Sequence, residues 1–212
     1  LDDKPLRTPG KKPLILPTAA LANAVADEWQ AQTDLIQPMT MPMTRAANSA
    51  IEKVAPQFDA VAGMLAEYGG TDLLCYRAEA PEDLVQLQAE GWDPLIDWAA
   101  THLRAPLRIT HGVIPVTQDP AALERLHDEV ASLNTFGLTA LHDLVTLPGS
   151  LVLGLAVING RLTGAEAFGL SRIDEDFQAR QWGEDQDARD AAEGRRAAII
   201  DAERFWTFAH SL

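Results

Sequence analysis

The sequence predicts an α+β chain: a small N-terminal α/β domain with a short antiparallel sheet, followed by a larger, mainly α-helical bundle domain. Three observations lead there. Turn residues crowd the first sixteen positions; apolar residues at three- and four-residue spacing dominate from Thr18 onward; and later only the stretches 71–77 and 107–116 have the short apolar character of strands. A chain of 212 residues is long enough to bury a core without disulfide or metal staples. The junction is expected between residues 62 and 63, giving domains of 1–62 and 63–212.

Each element follows from local chemistry. Asp2-Asp3, Pro5, Pro9-Gly10 and Pro13 punctuate short apolar pieces, which suggests a hairpin or small meander. Thr18 is a suitable N-cap for a helix carrying Leu21, Val25, Trp29, Gln32 and Ile36 on one face, with Pro38 as its stop. Thr44 is the expected cap of a short helix through Ile51 and Val54, and Phe58, Val61, Leu65 and Tyr68 mark a third helix ended by Gly69-Gly70. Residues 71–77 fit either a strand or a buried turn, with extended structure preferred.

Pro81, followed by Glu82 and Asp83, opens a helix that is expected to stop at Gly91, and Asp93-Pro94 restarts another with Leu95, Trp98 and His102. Asp119-Pro120 caps a helix with Leu123, Leu126 and Val130, and Thr135 opens one with Leu138, Leu141 and Val145. Leu151 to Ile158 reads as a short buried helix capped by Ser150. One helix is expected from Thr163 to Gln181, its start secured by a Thr163–Glu166 capping box, and a last one from Glu184 to Ala209.

Composition excludes several functions. Seventeen Lys and Arg against 31 Asp and Glu leave a formal charge of −14, which opposes nucleic-acid binding. The longest apolar run, Leu151 to Ile158, falls far short of the roughly 20 residues that span a bilayer, so no stable membrane insertion is expected. The single Cys75 makes no internal disulfide and reads as a buried, inert thiol. Opening at Leu1 rather than Met, the chain is read as lacking upstream residues.

No dinucleotide fingerprint, phosphate loop, His-Glu-x-x-His pair or Gly-x-Ser-x-Gly elbow occurs. His127-Asp128 and His142-Asp143 are adjacent on helices and so diverge by about 100° rather than converge. The acidic cluster Asp174-Glu175-Asp176 is the best remaining candidate for a carboxylate-rich, metal-dependent hydrolase. Arg172 and Arg180, each four residues from Asp176, make a solvent-side charge ladder the simpler reading, with Ala167, Leu170, Ile173 and Phe177 turned inward. No cofactor and no metal ligand set is expected.

Glu28-Trp29, Met41-Pro42-Met43-Thr44, Thr71-Asp72 with Cys75-Tyr76-Arg77, Trp92-Asp93-Pro94 with Trp98, and Ser171 to Gln178 followed by Gln181-Trp182-Gly183-Glu184 occur in order. Together they resemble the family of assembly chaperones for the alpha subunit of the F-type ATP synthase catalytic head, found in mitochondria and alphaproteobacteria. The resemblance implies a non-enzymatic function: binding the unassembled F1-ATPase alpha subunit, preventing its aggregation and releasing it as the beta subunit arrives. It implies a small α/β domain followed by a helical bundle, and a bacterial cytoplasm or, in a eukaryote, the mitochondrial matrix. Glu166, Glu175, Gln178, Trp182 and Gly183, with Trp92 and Asp93, are the client-binding residues it suggests. The acidic surface disfavours self-association, and a monomer is expected. An adaptor for an unrelated partner is the remaining non-enzymatic alternative.

Overall fold

The computed structural model describes residues 5–112, 114–183 and 185–211. Asp2, Asp3, Val113 and Glu184, which figure in the expectations above, lie outside them. Thr18 caps α1 (Ala19–Gln30), its hydroxyl accepting from Leu21 N and donating to Phe208 O near the other end of the chain. The helix ends at Gln30 rather than continuing towards Pro38, so Ile36 leaves the core and is 58% exposed. α2 (Pro42–Ser49) starts before the expected cap Thr44. Its free amides are met from across the chain instead: the Glu28 carboxylate accepts from Met43 N, Thr44 N and Thr44 Oγ1 at 2.7–2.8 Å. That bond explains why Glu28 and the Met-Pro-Met-Thr string belong together.

Pro56 has no N–H to give and its ring opposes the carbonyl four residues back, so the helix cannot continue regularly. The backbone passes instead through a π turn, Ala50–Val54, and a 3-10 turn, Ala55–Gln57, into α3 (Phe58–Glu67). α3 runs across the position of the expected domain junction. A 3-10 turn at Leu73–Cys75 then leads into β1 (Tyr76–Arg77), so residues 71–77 contain both a buried turn and a short strand.

α4 (Glu82–Thr101) is one continuous helix through Gly91 and Pro94, where two were expected. Leu84, Gln88, Trp92, Leu95, Ile96 and Ala99 form a single buried stripe across the proline, and that burial outweighs the one backbone bond Pro94 removes. β2 (Thr110–His111) pairs with β1 in parallel, Tyr76 opposite Thr110 and Arg77 opposite His111. The expected antiparallel sheet is thereby corrected. Among the described N-terminal residues the pairing is an isolated antiparallel bridge, Arg7 to Pro13, since prolines at 5, 9 and 13 leave few donors for a ladder.

α5 (Pro120–Ala131) is capped by Asp119, α6 (Thr135–Thr146) by Asn134 one residue before the expected start, and α7 (Leu151–Ile158) by Ser150. α7 is apolar all round and buried from Leu151 to Val157, a helix that only a core can house. It lies against α6, α4 and α8. The expected helix from Thr163 is split into α8 (Gly164–Ser171) and α9 (Ile173–Trp182) by Arg172 at φ −110°, ψ 10°. The break turns Ile173 onto α4, where the absent side chain of Gly91 makes room for Ile173 and Leu170. α10 (Gln186–Ala209), capped by Asp185, packs on α6 and α8 and also on α1 and α2.

The main core gathers α3 to α8 around Trp92, Leu126, Leu141 and α7. A second cluster joins Leu21, Val25, Met43 and Ala47 of the N-terminal helices to Ala140, Phe205 and Ala209. Among the described residues no helix is long and apolar enough to cross a membrane.

Candidate functional site

Glu175, Gln178 and Trp182 are three and seven residues apart on α9, which brings them within about 60° of one another on one helix face. Phe177 lies on the opposite side and is 7% exposed. Trp182, at the helix end, is 80% exposed, the largest aromatic so presented among the described residues. Gly183 follows with φ +86°, a left-handed conformation that L side chains resist, and its N–H donates to Ala179 O at 2.8 Å. The helix therefore ends at the indole, which stays open to solvent.

The acidic cluster behind this face is divided among different partners. Asp174 accepts from Gln88 Nε2 at 2.6 Å, which ties α9 to α4. Glu175 pairs with Arg172 and with Arg195 of α10, the latter at 3.2 Å, while Asp176 pairs with Arg172 at 3.0 Å. The Arg172 guanidinium is nearly buried, lying 5.5 Å over the Phe168 ring. Half of Glu175 stays open to solvent, so the carboxylate is oriented by two cations and still presented. Among the described residues no three His, Cys, Asp or Glu side chains converge to hold a metal ion.

The other suggested contacts lie elsewhere. Trp92 is fully buried: its indole N–H donates to Leu170 O at 2.8 Å, and the Arg77 guanidinium lies 5.3 Å over its ring. It cannot touch a client from there; it fixes the last turn of α8 from inside. Asp93 is half-exposed and binds buried Arg77 at 2.7 Å. Glu166 closes the capping box, accepting from Thr163 N at 2.7 Å and Thr163 Oγ1 at 2.9 Å, and those bonds hold its carboxyl below the usual glutamate range. It lines a small cleft with Glu203 and Trp206, apart from the α9 face.

Cys75 is fully buried, and burial together with nearby Asp72 pushes its thiol up to about 12, so it offers no nucleophile. Sequence reasoning missed the buried cations Arg77 and Arg172; an Arg beside an aromatic motif was the available signal. It also missed an exposed apolar group at Leu35, Ile36 and Met39, because Ile36 fitted the periodicity of a helix that in fact ends earlier.

Residues 1–100 match the family described as ATP12 chaperone protein. The crystal structure of Atp12 from Paracoccus denitrificans superposes with a TM-score of 0.97 at 70% identity, over 99% of this chain and 90% of that one. The chain belongs to the ATP12 chaperone family. A putative chaperone from Agrobacterium tumefaciens, Atu1473, superposes with a TM-score of 0.91 at 40% identity, over 97% of this chain and 77% of that chain. The mitochondrial protein atp12 of Schizosaccharomyces pombe is 26% identical over 204 residues, 90% of this chain and 69% of that protein. An ATP12 chaperone works by binding and is not an enzyme, which sets the hydrolase reading of Asp174 to Asp176 aside and turns attention to surfaces.

Proposed function

We propose that this ATP12-family chaperone binds the unassembled alpha subunit of F1-ATPase, shields it from aggregation and releases it to the beta subunit as the catalytic head of ATP synthase is built. The observation that carries the reading is the exposed Trp182 beside Glu175 and Gln178 on one face of α9, with Gly183 ending the helix. Exposed indoles are costly to leave in water and strong anchors when covered. Carboxylates around such an anchor speed encounter with a basic patch on a client and repel further copies of the chaperone. Glu166 and Asp93 offer carboxylates to the client at separate places away from α9, and Trp92 acts from within the fold by holding the end of α8.

The chain acts as a monomer, in a bacterial cytoplasm or, in a eukaryote, the mitochondrial matrix, and uses no cofactor. Its division into residues 1–62 and 63–212 belongs to the same proposal. Release requires no nucleotide if beta competes for the covered surface of alpha. Purified alpha subunit diluted from denaturant, with light scattering followed in the presence of this chain, tests the reading. Stoichiometric suppression without nucleotide or metal, reversed by beta, is the expected result. Unchanged scattering and no complex on native mass spectrometry would reject it.

A further inference from the structure

A cleft of about 300 Å³ opens where α10 passes the start of α8, walled by Ile158, Leu162 and the Trp206 indole and rimmed by Arg161, Glu166 and Glu203. Its two carboxylates are fixed on consecutive backbone amides. Glu166 Oε2 accepts from Thr163 N at 2.7 Å, and Glu203 Oε2 accepts from Gly164 N at 2.9 Å. Gly164 is what admits the second of them, since a Cβ there would stand 2.9 Å from Glu203 Oε2. Capping alone does not account for both. The box is complete with Thr163 and Glu166, and the N–H of the first helical residue is one that helices commonly leave to water.

Two anions held side by side repel, and the backbone dipoles at the start of α8 offset only part of that. Among the described residues no Lys, Arg or His forms an ion pair with either carboxylate, and Oε1 of each has no hydrogen-bond partner. Arg161 at the rim is near enough to act on Glu166 through space, yet bonds to neither. The lining therefore combines an aliphatic wall, an aromatic face and two acceptors that still have a free oxygen each. An arginine side chain matches all three, with an apolar stem, a planar head that stacks on an indole and a fork of donors. A lysine ammonium has no plane to lay on the ring. A divalent cation is a poorer match, because no third His, Cys, Asp or Glu among the described residues completes a ligand set.

We infer that this cleft seats one arginine side chain of the client polypeptide, its guanidinium bridging Glu166 and Glu203 and its stem lying against Trp206, as a contact separate from the α9 face. The inference rests on the reading of the chain as an alpha-subunit chaperone and names the group that Glu166 would meet within it. The acidic surplus of the chain draws a basic segment in, and the cleft then selects the fork-shaped cation over other positive groups.

The probe is a capped alanine pentapeptide with arginine at its centre, titrated at low salt into the full isotope-labelled chain, with the NMR signals of the Trp206 indole N–H and the Gly164 amide as readout. Saturable shifts are expected, and citrulline in place of arginine, which keeps the shape without the charge, should bind about tenfold more weakly. Glu203→Gln and Glu166→Gln each keep an oxygen for the backbone amide but lose the charge, and should weaken arginine binding by about tenfold. Asp59→Asn, an exposed carboxylate on α3, should change it by less than about twofold. Arg161→Ala removes the cation at the rim and tightens binding. Circular dichroism of each variant separates lost binding from lost fold.

Absence of saturable shifts, equal binding of the citrulline peptide, or binding indifferent to Glu203→Gln overturns the inference. So does binding that appears only in Arg161→Ala, which would make Arg161 the occupant of its own cleft. Alpha-subunit capture that stays at full strength in Glu203→Gln, while the peptide no longer binds, overturns the client assignment. Arginine-peptide binding by a chain that captures no alpha subunit keeps the cleft and rejects the chaperone reading beneath it.

Discussion

Ser150 Oγ donates a 2.7 Å hydrogen bond to Asp72 Oδ1 across 78 residues of sequence, deep in the interior. Ser150 also caps α7 through Leu153 N, and Asp72 accepts from Val152 N and Leu74 N, each at 3.0 Å. One carboxylate thus fastens the 3-10 turn before β1 to the start of the most buried helix. Burial pushes the Asp72 carboxyl above its usual range, while the surrounding amide and hydroxyl donors pull it back. Asp72→Ala leaves those donors dry and unpaired and is expected to cost about 2–5 kcal/mol; Ser150→Ala costs about 1–2 kcal/mol as a lost cap. Because the two residues share one network, a double-mutant cycle by urea denaturation should give a coupling of about 0.5–3 kcal/mol rather than simple addition.

Glu166 supplies a pH dependence of known sign. Its bonds to Thr163 lower its pKa in the folded chain below the ordinary 4.5. A carboxyl with a depressed folded-state pKa contributes stability that is present above the ordinary value and lost as pH falls through the folded one. Glu166→Gln keeps the amide-compatible capping geometry but has no proton to take up. The stability difference between wild type and Glu166→Gln should therefore move in favour of the variant as pH is lowered from 5 towards 3, read from urea midpoints at each pH. A difference that stays flat would mean the capping box does not hold the ionised form.

Two glycines inside helices have opposite reasons for being there. A methyl at Gly154 in α7 would meet Val145 Cγ2 at 2.6 Å and the Leu144 backbone carbonyl at 3.1 Å, so the α6–α7 approach depends on its absence. Gly194 in α10 is exposed and a methyl there meets nothing within 4 Å. Gly194→Ala is expected to stabilise by about 0.5–1 kcal/mol through helix propensity alone. Gly154→Ala gains the same term and loses about 1–3 kcal/mol to overpacking, a net destabilisation visible in thermal melts.

What was legible in the sequence was whatever rests on neighbours in the chain. Thr18, Asp119, Ser150 and the Thr163–Glu166 box cap helices through residues two or three positions away, so spacing alone reveals them. Contacts between distant segments were hidden. Nothing local says that Glu28 replaces a cap at α2, or that Trp92 is anchored on Leu170, and so local spacing points to Thr44 as a cap and the family resemblance to Trp92 as a client contact. Periodicity through Gly91 and Pro94 was outvoted by two helix-breaking residues, although the continuous buried stripe of α4 decides the matter in the fold. The face formed by Glu175, Gln178 and Trp182 was half visible: spacing places the three together, but the turn at Arg172 that aims the helix was not.

The two sides of α9 separate folding from client capture. Phe177 is nearly buried, and Phe177→Ala should cost about 3–5 kcal/mol, lowering the melting temperature and, through it, everything else. Trp182 has four-fifths of its surface in water, so Trp182→Ala should leave the melt within about 0.5 kcal/mol of wild type while sharply weakening suppression of alpha-subunit aggregation. Glu175 lies between these cases because it is tied to Arg172 and Arg195. Arg172 keeps Asp176 when Glu175 is replaced, so Glu175→Gln should cost no more than about 1 kcal/mol, whereas Glu175→Lys adds repulsion against both arginines and loses more. If capture rises in the order Trp182→Ala, Glu175→Gln, wild type while melting temperatures stay together, the exposed face is the working surface. Capture that tracks melting temperature across the set would instead make α9 a structural element and place the client contact elsewhere.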